Sequence, residues 1–264
     1  NGKKLLDGSF TAQSFQVGAN AGQNIEFSIG NTRSDTIGDQ ELEANGSINV
    51  ANATSANGVT TQTLSISGGL GTGTADITVA GSTAKDIAEL VNAQSGDSGV
   101  TASAVTYATF DLDTTGAVSV DVNGKNSTSV NVAATITDIS DLTSLSESFN
   151  AHTAETGISA SLSADKASLI LKNAEGYDIT MVGNAASVAQ ANIGGIAADG
   201  STAAGVTTEV DAGDIANVGG NVTFHSDQSY AITGANGTLT TTTASTLNAV
   251  GSVDIGSRFG AEDA

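Results

Sequence analysis

The stretch Asn92-Ala93-Gln94-Ser95-Gly96-Asp97-Ser98-Gly99-Val100-Thr101-Ala102-Ser103 has a counterpart 58 positions later, Asn150-Ala151-His152-Thr153-Ala154-Glu155-Thr156-Gly157-Ile158-Ser159-Ala160-Ser161. The shared frame is Asn-Ala, a spacer, then Gly-(Val/Ile)-(Thr/Ser)-Ala-Ser. Each copy follows a helical pattern. In the first, Ile87, Leu90 and Val91 lie at i, i+3 and i+4, and Thr83 with Asp86 forms a capping box. In the second, a helix from about Asp138 places Ile139, Leu142, Leu145 and Phe149 on one face.

Working outward, the first helix is preceded by strand signals at Leu64–Ile66 and Ile77–Val79, and the second by Val118–Val122 and Val130–Val132, joined by the turn Asn123-Gly124. Strands continue after each repeat, to Leu112 in the first and through Leu169–Leu171 and Ile179–Val182 in the second. Each copy is thus a β-β-α-β-β-like unit in which one helix covers one face of a small antiparallel sheet. Matching helices, strands and turn residues at one fixed offset mark an internal repeat.

Outside the repeats, Phe15 and Val17, then Ile25, Phe27 and Ile29, alternate across a Gly/Ala/Asn turn and read as a hairpin. Residues 31–60 read as loop with short strands. Residues 183–205 are Ala/Gly-rich and read as irregular, with a short helical stretch near Ser187–Ile193. Strand signals return at Val206–Val210, Val222–Phe224, Tyr230–Ile232, Leu239–Thr243 and Val250–Ile255. The expected fold class is α+β and β-rich, with the two units inserted into a discontinuous all-β base. Residues 1–45 and 206–264 form that base, 46–116 the first unit, and 117–205 the second unit with its Ala/Gly-rich tail.

Composition agrees with several thin cores rather than one thick one. Aromatics are 4% of the 264 residues and Trp is absent, while ordering the backbone costs about 1–2 kcal/mol per residue. Sheets rich in Val, Ile and Thr bury what apolar surface there is. The net charge is −20, with 8 Lys and Arg, which excludes the basic patches that nucleic acids and anionic membranes require. There is no Cys, hence no disulfide framework. There is no apolar run approaching the roughly 20 residues of a membrane span, and no signal sequence at Asn1. A chain that does not begin with Met reads as an internal fragment or a processed product.

No motif for catalysis, a cofactor or a metal survives inspection. Gly68-Gly69-Leu70-Gly71-Thr72-Gly73 has the glycines of a phosphate loop but leads into a strand, whereas phosphate binding needs a helix N-terminus there. Asp111-Leu112-Asp113-Thr114-Thr115-Gly116 begins like a calcium loop, yet Val122 stands where the closing acid belongs. His152 and His225 have no ligand spacing, and no Gly-x-Ser-x-Gly elbow activates a serine. Five Asn-x-Ser/Thr sequons, at Asn45, Asn52, Asn126, Asn221 and Asn236, follow from composition. The expected site list is therefore none for catalysis, cofactor and metal.

Lys4-Leu5-Leu6-Asp7-Gly8-Ser9-Phe10 with Phe15-Gln16-Val17-Gly18-Ala19-Asn20 resembles the stretch where flagellins leave their helical rod for their outer domains. Ser252-Val253-Asp254-Ile255 is similar to the strand by which they return, and the helix-plus-sheet repeat looks like a module of flagellin variable regions and hook-associated proteins. The resemblance implies a secreted structural protein of the extracellular flagellar filament, not an enzyme. Its partners would be other flagellin subunits and host antibodies. It further implies terminal polymerisation helices, but neither end of this chain carries a long heptad run, so the chain alone is expected not to form filaments. It also implies that the two legs of the base lie side by side, bringing Asn1 near Ala264. A bacterial adhesin or carbohydrate-binding module is the alternative, and exposed aromatics for sugar stacking would favour it. A polysaccharide-cleaving enzyme, which needs two convergent carboxylates, is third.

Overall fold

A computed structural model describes residues 13–16, 24–27, 40–44, 50–52, 57–187, 189–196 and 207–234, and every structural statement below concerns these. The first strands are short: β1 (Gln13–Gln16), β2 (Asn24–Phe27), β3 (Gln40–Glu43) and β4 (Val50–Asn52). There follow β5 (Gln62–Ser67), β6 (Thr72–Ile77), α1 (Ala84–Asn92), α2 (Ser95–Ser98) and the long β7 (Thr101–Leu112). Next come β8 (Gly116–Asn123), β9 (Val130–Ile136), α3 (Thr143–Ala151), α4 (Thr153–Thr156), β10 (Ile158–Leu162), β11 (Ser168–Asn173) and β12 (Ile179–Gly183). The last are β13 (Ala191–Ile196), β14 (Thr207–Glu209), β15 (Ile215–Val218), β16 (Asn221–Ser226) and β17 (Ala231–Thr233). The fold is β-rich, its strand pairings antiparallel, and β1 with β2 forms the expected hairpin.

Two hydrophobic cores share β7. Its first part pairs with β16, Ala102 opposite Phe224, and β16 pairs onward with β3, Phe224 opposite Leu42. Beyond Val105 the same strand pairs with β11, beginning at Thr106, and with β13, beginning at Tyr107. The first core lies between this end of the sheet and β17-β5-β6, with Leu64, Ile66, Ile87, Val91, Phe224 and Ile232 buried. The second lies between β10-β11-β7-β13-β14 and β4-β15-β12-β8-β9. Inward positions alternate as a pleated strand requires: Ala108, Phe110 and Leu112 on β7, and Leu169 and Leu171 on β11. The second core is built from Ala108 to Val218 of the chain, whereas the first draws on both flanks, from Ala44 to Ile232. β16 and β17, which close the first core, come from the span assigned to the descending leg of the base.

Hydrogen bonds recur at the 58-residue offset. Asn92 Nδ2 donates to Ala102 O (2.9 Å) and its Oδ1 accepts from Ala102 N (2.7 Å). Asn150 makes the same pair with Ala160, both at 2.8 Å. Ser98 Oγ and Thr156 Oγ1 each donate back to a carbonyl and accept from the N–H two residues on, at Val100 and Ile158. Gly99 and Gly157 follow, with φ of 74° and 73°, the left-handed conformation that ends a helix and favours glycine. The hairpin tips dock alike, through Leu70 N to Ser98 O and Lys125 N to Thr156 O.

The helix starts differ. At α1 the capping box is present: Thr83 Oγ1 accepts from Asp86 N (3.2 Å) and Asp86 Oδ2 from Thr83 N (3.0 Å). Thr83→Ala should therefore cost about 1 kcal/mol, read as a lower denaturation midpoint at unchanged slope; an unchanged midpoint would show that the box contributes nothing. At α3 the expectation of a helix from about Asp138 fails. Asp138 Oδ1 accepts from Ser140 N and Asp141 Oδ1 from Thr143 N. These two Asx turns hold the backbone out of the helix until Thr143 and leave Ile139 exposed.

The helical stretch expected near Ser187–Ile193 is also wrong. From Ala191 the chain is strand β13, because Ala191, Gly194 and Gly195 allow it against the C-terminal half of β7 while Ile193 and Ile196 are buried. β15, buried from Ala216 to Val218, carries too short a signal to have been anticipated. The motifs at Lys4–Phe10 and Ser252–Ile255, the strand signals at Leu239–Thr243 and Val250–Ile255, and the expected neighbourhood of Asn1 and Ala264 lie outside the described residues.

Candidate functional site at the junction of the two cores

The motif-like stretches all have structural roles. Gly68–Gly73 is the β5–β6 turn and, as expected, leads into a strand. A Cβ on Gly68 would stand 2.1 Å from Ser98 O, so glycine there serves the close approach of the tip to α2. At the calcium-like stretch, Asp113 Oδ2 accepts from Asn192 Nδ2 (2.8 Å) and Thr114 Oγ1 from Gln190 N (2.9 Å), tying the β7–β8 corner to β13. Among the described residues no cluster of three potential metal ligands occurs. His225 Nε2 is 2.9 Å from Ser103 Oγ, and His152 Nδ1 is 3.6 Å from Glu155, so the two histidines serve different elements. Of the sequons, Asn126 spends its amide on Gly124 N, Val122 O and Thr128 O, and Asn221 is buried and donates to Ile196 O. Asn52 lies on β4, while Asn45 and Asn236 fall outside the described residues.

Two open clefts occupy similar places beside α1 and α3. One is lined by Asp76, Val79, Asp86, Glu89 and Leu90, the other by Ile136, Asp138, Asp141, Ser144 and Glu147. Hydrogen bonds from Ser140 and Thr143 hold the Asp138 and Asp141 carboxyls below their usual pKa. Both groups are fully exposed, which gives a stably charged rim and no general acid.

The polar groups that sequence reading missed meet where the β11–β12 loop reaches α1. Lys85 N donates to Gly176 O (3.1 Å), and Thr106 Oγ1 to Tyr177 O (2.7 Å). The Lys85 ammonium pairs with Glu89 and lies 5.6 Å from the Tyr177 ring centroid. Asn173 Oδ1 accepts from Glu175 N and Tyr177 N, shaping the loop. Asn57 Nδ2 then bridges Ser82 O (3.0 Å) and Asp178 Oδ2 (2.8 Å). Asp178 Oδ1 is buried with no hydrogen-bond donor on it. Burial raises the Asp178 pKa from 3.8 to about 6, outweighing the Asn57, Asn217 and Gly220 donors that favour the charged form. The Asp86 carboxylate adds to the rise. No signal in one chain could have found this group, because Asn57 and Asp178 are 121 residues apart.

No family model matches the chain. Over 198 residues it is 31% identical to a protein named Flagellin A from Helicobacter mustelae, a match covering 70% of this chain and 37% of that protein. Over 120 residues it is 35% identical to Flagellin A from Helicobacter pylori, covering 42% of this chain and 22% of the relative. This chain is related to the flagellins. It spans well under half the length of these two relatives.

In this flagellin-related chain the three tyrosines are all engaged, which bears on the carbohydrate-binding alternative. Tyr107 lies under Lys172 (5.2 Å) and Tyr177 under Lys85, while Tyr230 is buried and donates to Phe224 O (2.7 Å). Among the described residues no helix is long and apolar enough to cross a membrane.

Proposed function

We propose that this chain is the outward-projecting part of a flagellar filament subunit, with a structural and not a catalytic role. The observation that carries the reading is its 198-residue match to a Flagellin A. In it, the two helix-bearing units are copies of one module, joined along β7, and their recurrent asparagine and glycine geometry supports that descent. Residues 1–45 and 206–264 are two legs of a discontinuous base; the pairing of β3 with β16, which brings 40–43 beside 221–226, supports this. The subunit is secreted and assembles outside the cell with other copies through parts of the protein other than these 264 residues.

Two measurements test it. Antibodies raised against the folded 264-residue chain should label intact parent filaments along their length, and labelling only after denaturation would overturn the outward placement. The chain alone should sediment as a small species, and long polymers would overturn the assignment of assembly to other parts of the subunit.

A further inference from the structure

The two cores touch through a small polar seam as well as through β7. On one side are Asn57, Ser82 and the start of α1; on the other are the β11–β12 loop and β15. Asp178 sits in the middle, its Oδ2 held by Asn57 and its buried Oδ1 making no hydrogen bond. The groups around it come from each packed element. α1 supplies Asp86, with the Lys85–Glu89 pair beside it, and the loop itself supplies Glu175 and the Tyr177 phenol, which act on Lys85. The segment before β5 supplies the Asn57 amide, and β15 with its link to β16 supplies the Asn217 side chain and the Gly220 N–H. No cation pairs directly with Asp178 among the described residues, since the Lys85 ammonium is occupied by Glu89 and the Tyr177 ring.

We propose that Asp178 is a protonation-controlled latch between the two cores, which holds the β11–β12 loop against α1 when its carboxyl is neutral and loosens that contact when ionised. A neutral carboxyl still accepts from Asn57 and places no charge in the seam. An ionised one leaves a poorly compensated negative charge close to Asp86. Opening lets water reach the carboxylate, while each core keeps its own apolar packing. The latch belongs to this chain by itself and holds whatever the parent protein assembles into.

The sign follows from linkage. The closed-state pKa is about 6 against an ordinary 3.8, so the closed form binds the proton more tightly. Its stabilisation is full below about pH 4, declines as the pH rises towards 6, and is constant above that. Between pH 5 and pH 7.5 the opening equilibrium should rise about tenfold.

Amide hydrogen exchange on the 264-residue chain tests this, with rates corrected for intrinsic pH dependence. Protection of the Lys85 amide, which bonds Gly176 O, and of the Tyr177 amide should fall about tenfold over that interval, while the amides of β8 and β11 stay protected. Asp178→Asn keeps an acceptor for Asn57 and removes the titration, so its protection should not change with pH. Asp86→Asn should move the midpoint to lower pH by removing the neighbouring charge. Flat protection in the parent chain, a slope that survives in Asp178→Asn, or a midpoint unmoved by Asp86→Asn would overturn the latch.

Discussion

Phe110→Ala is expected to destabilise the second core by about 3–5 kcal/mol, the usual range for truncating a fully buried aromatic, and to leave the first core folded. Phe110 is 0% exposed near the C-terminal end of β7, its ring edge-on to Phe149 with centroids 5.9 Å apart. Strands β11 and β13 hold the backbone on either side, so the site cannot collapse to fill the cavity. The first core survives because none of its side chains touches this ring's cluster, and because unfolding of the intervening segment only lengthens a loop, whose closure cost grows slowly with length. Urea unfolding should therefore change from one transition to two. The first core can be followed by Tyr230, which it buries, and the second by the amides of β8 and β11. Phe110→Leu, nearer in volume, should cost under about 1.5 kcal/mol. A loss below about 1 kcal/mol for Phe110→Ala, or a single transition that abolishes both cores, would show that the packing or the division into two cores is wrong.

What could be read in advance was what local chemistry writes down. The capping box at Thr83 and Asp86, the tip at Asn123-Gly124 and the hairpin at Gly68–Gly73 each depend on residues a few positions apart, and each is where it was expected. The misreadings have the opposite cause. Residues 191–196 look helical or irregular because Ala and Gly say little locally, and their strand state is imposed by β7, about 80 residues earlier. The α3 start was misjudged because Ile139 fits the helical period while Asp138 and Asp141 spend their carboxylates on Asx turns. Closure of the first core by β16 and β17, and the seam at Asp178, depend on contacts between residues more than a hundred positions apart. A periodic pattern carries no record of such contacts.

The asparagine pairs give the second large effect. Asn92→Ala should cost about 2–4 kcal/mol, since it leaves the Ala102 N–H and C=O without their side-chain partner in a largely buried setting. Asn150→Ala should cost somewhat less, since Ser146 Oγ, 3.4 Å from Ala160 O, remains as a donor to that carbonyl. These bonds fix where the chain leaving the αL glycine enters its strand. Their loss therefore also frees the register of β7 against β16, or of β10 against β11. Substitution by Asp separates the two halves of the lock. At neutral pH a carboxylate still accepts from the N–H but turns a negative oxygen on the carbonyl, so Asp should be no better than Ala. Protonation restores a donor towards the carbonyl, and both Asp variants should regain stability as the pH falls through the carboxyl pKa, whereas the Ala variants should not. Midpoints of urea unfolding at neutral and acidic pH decide it. Losses under about 0.5 kcal/mol in both Ala variants, or Asp variants that track the Ala variants at every pH, would mean that the recurrent asparagine is tolerated and does not hold the strand.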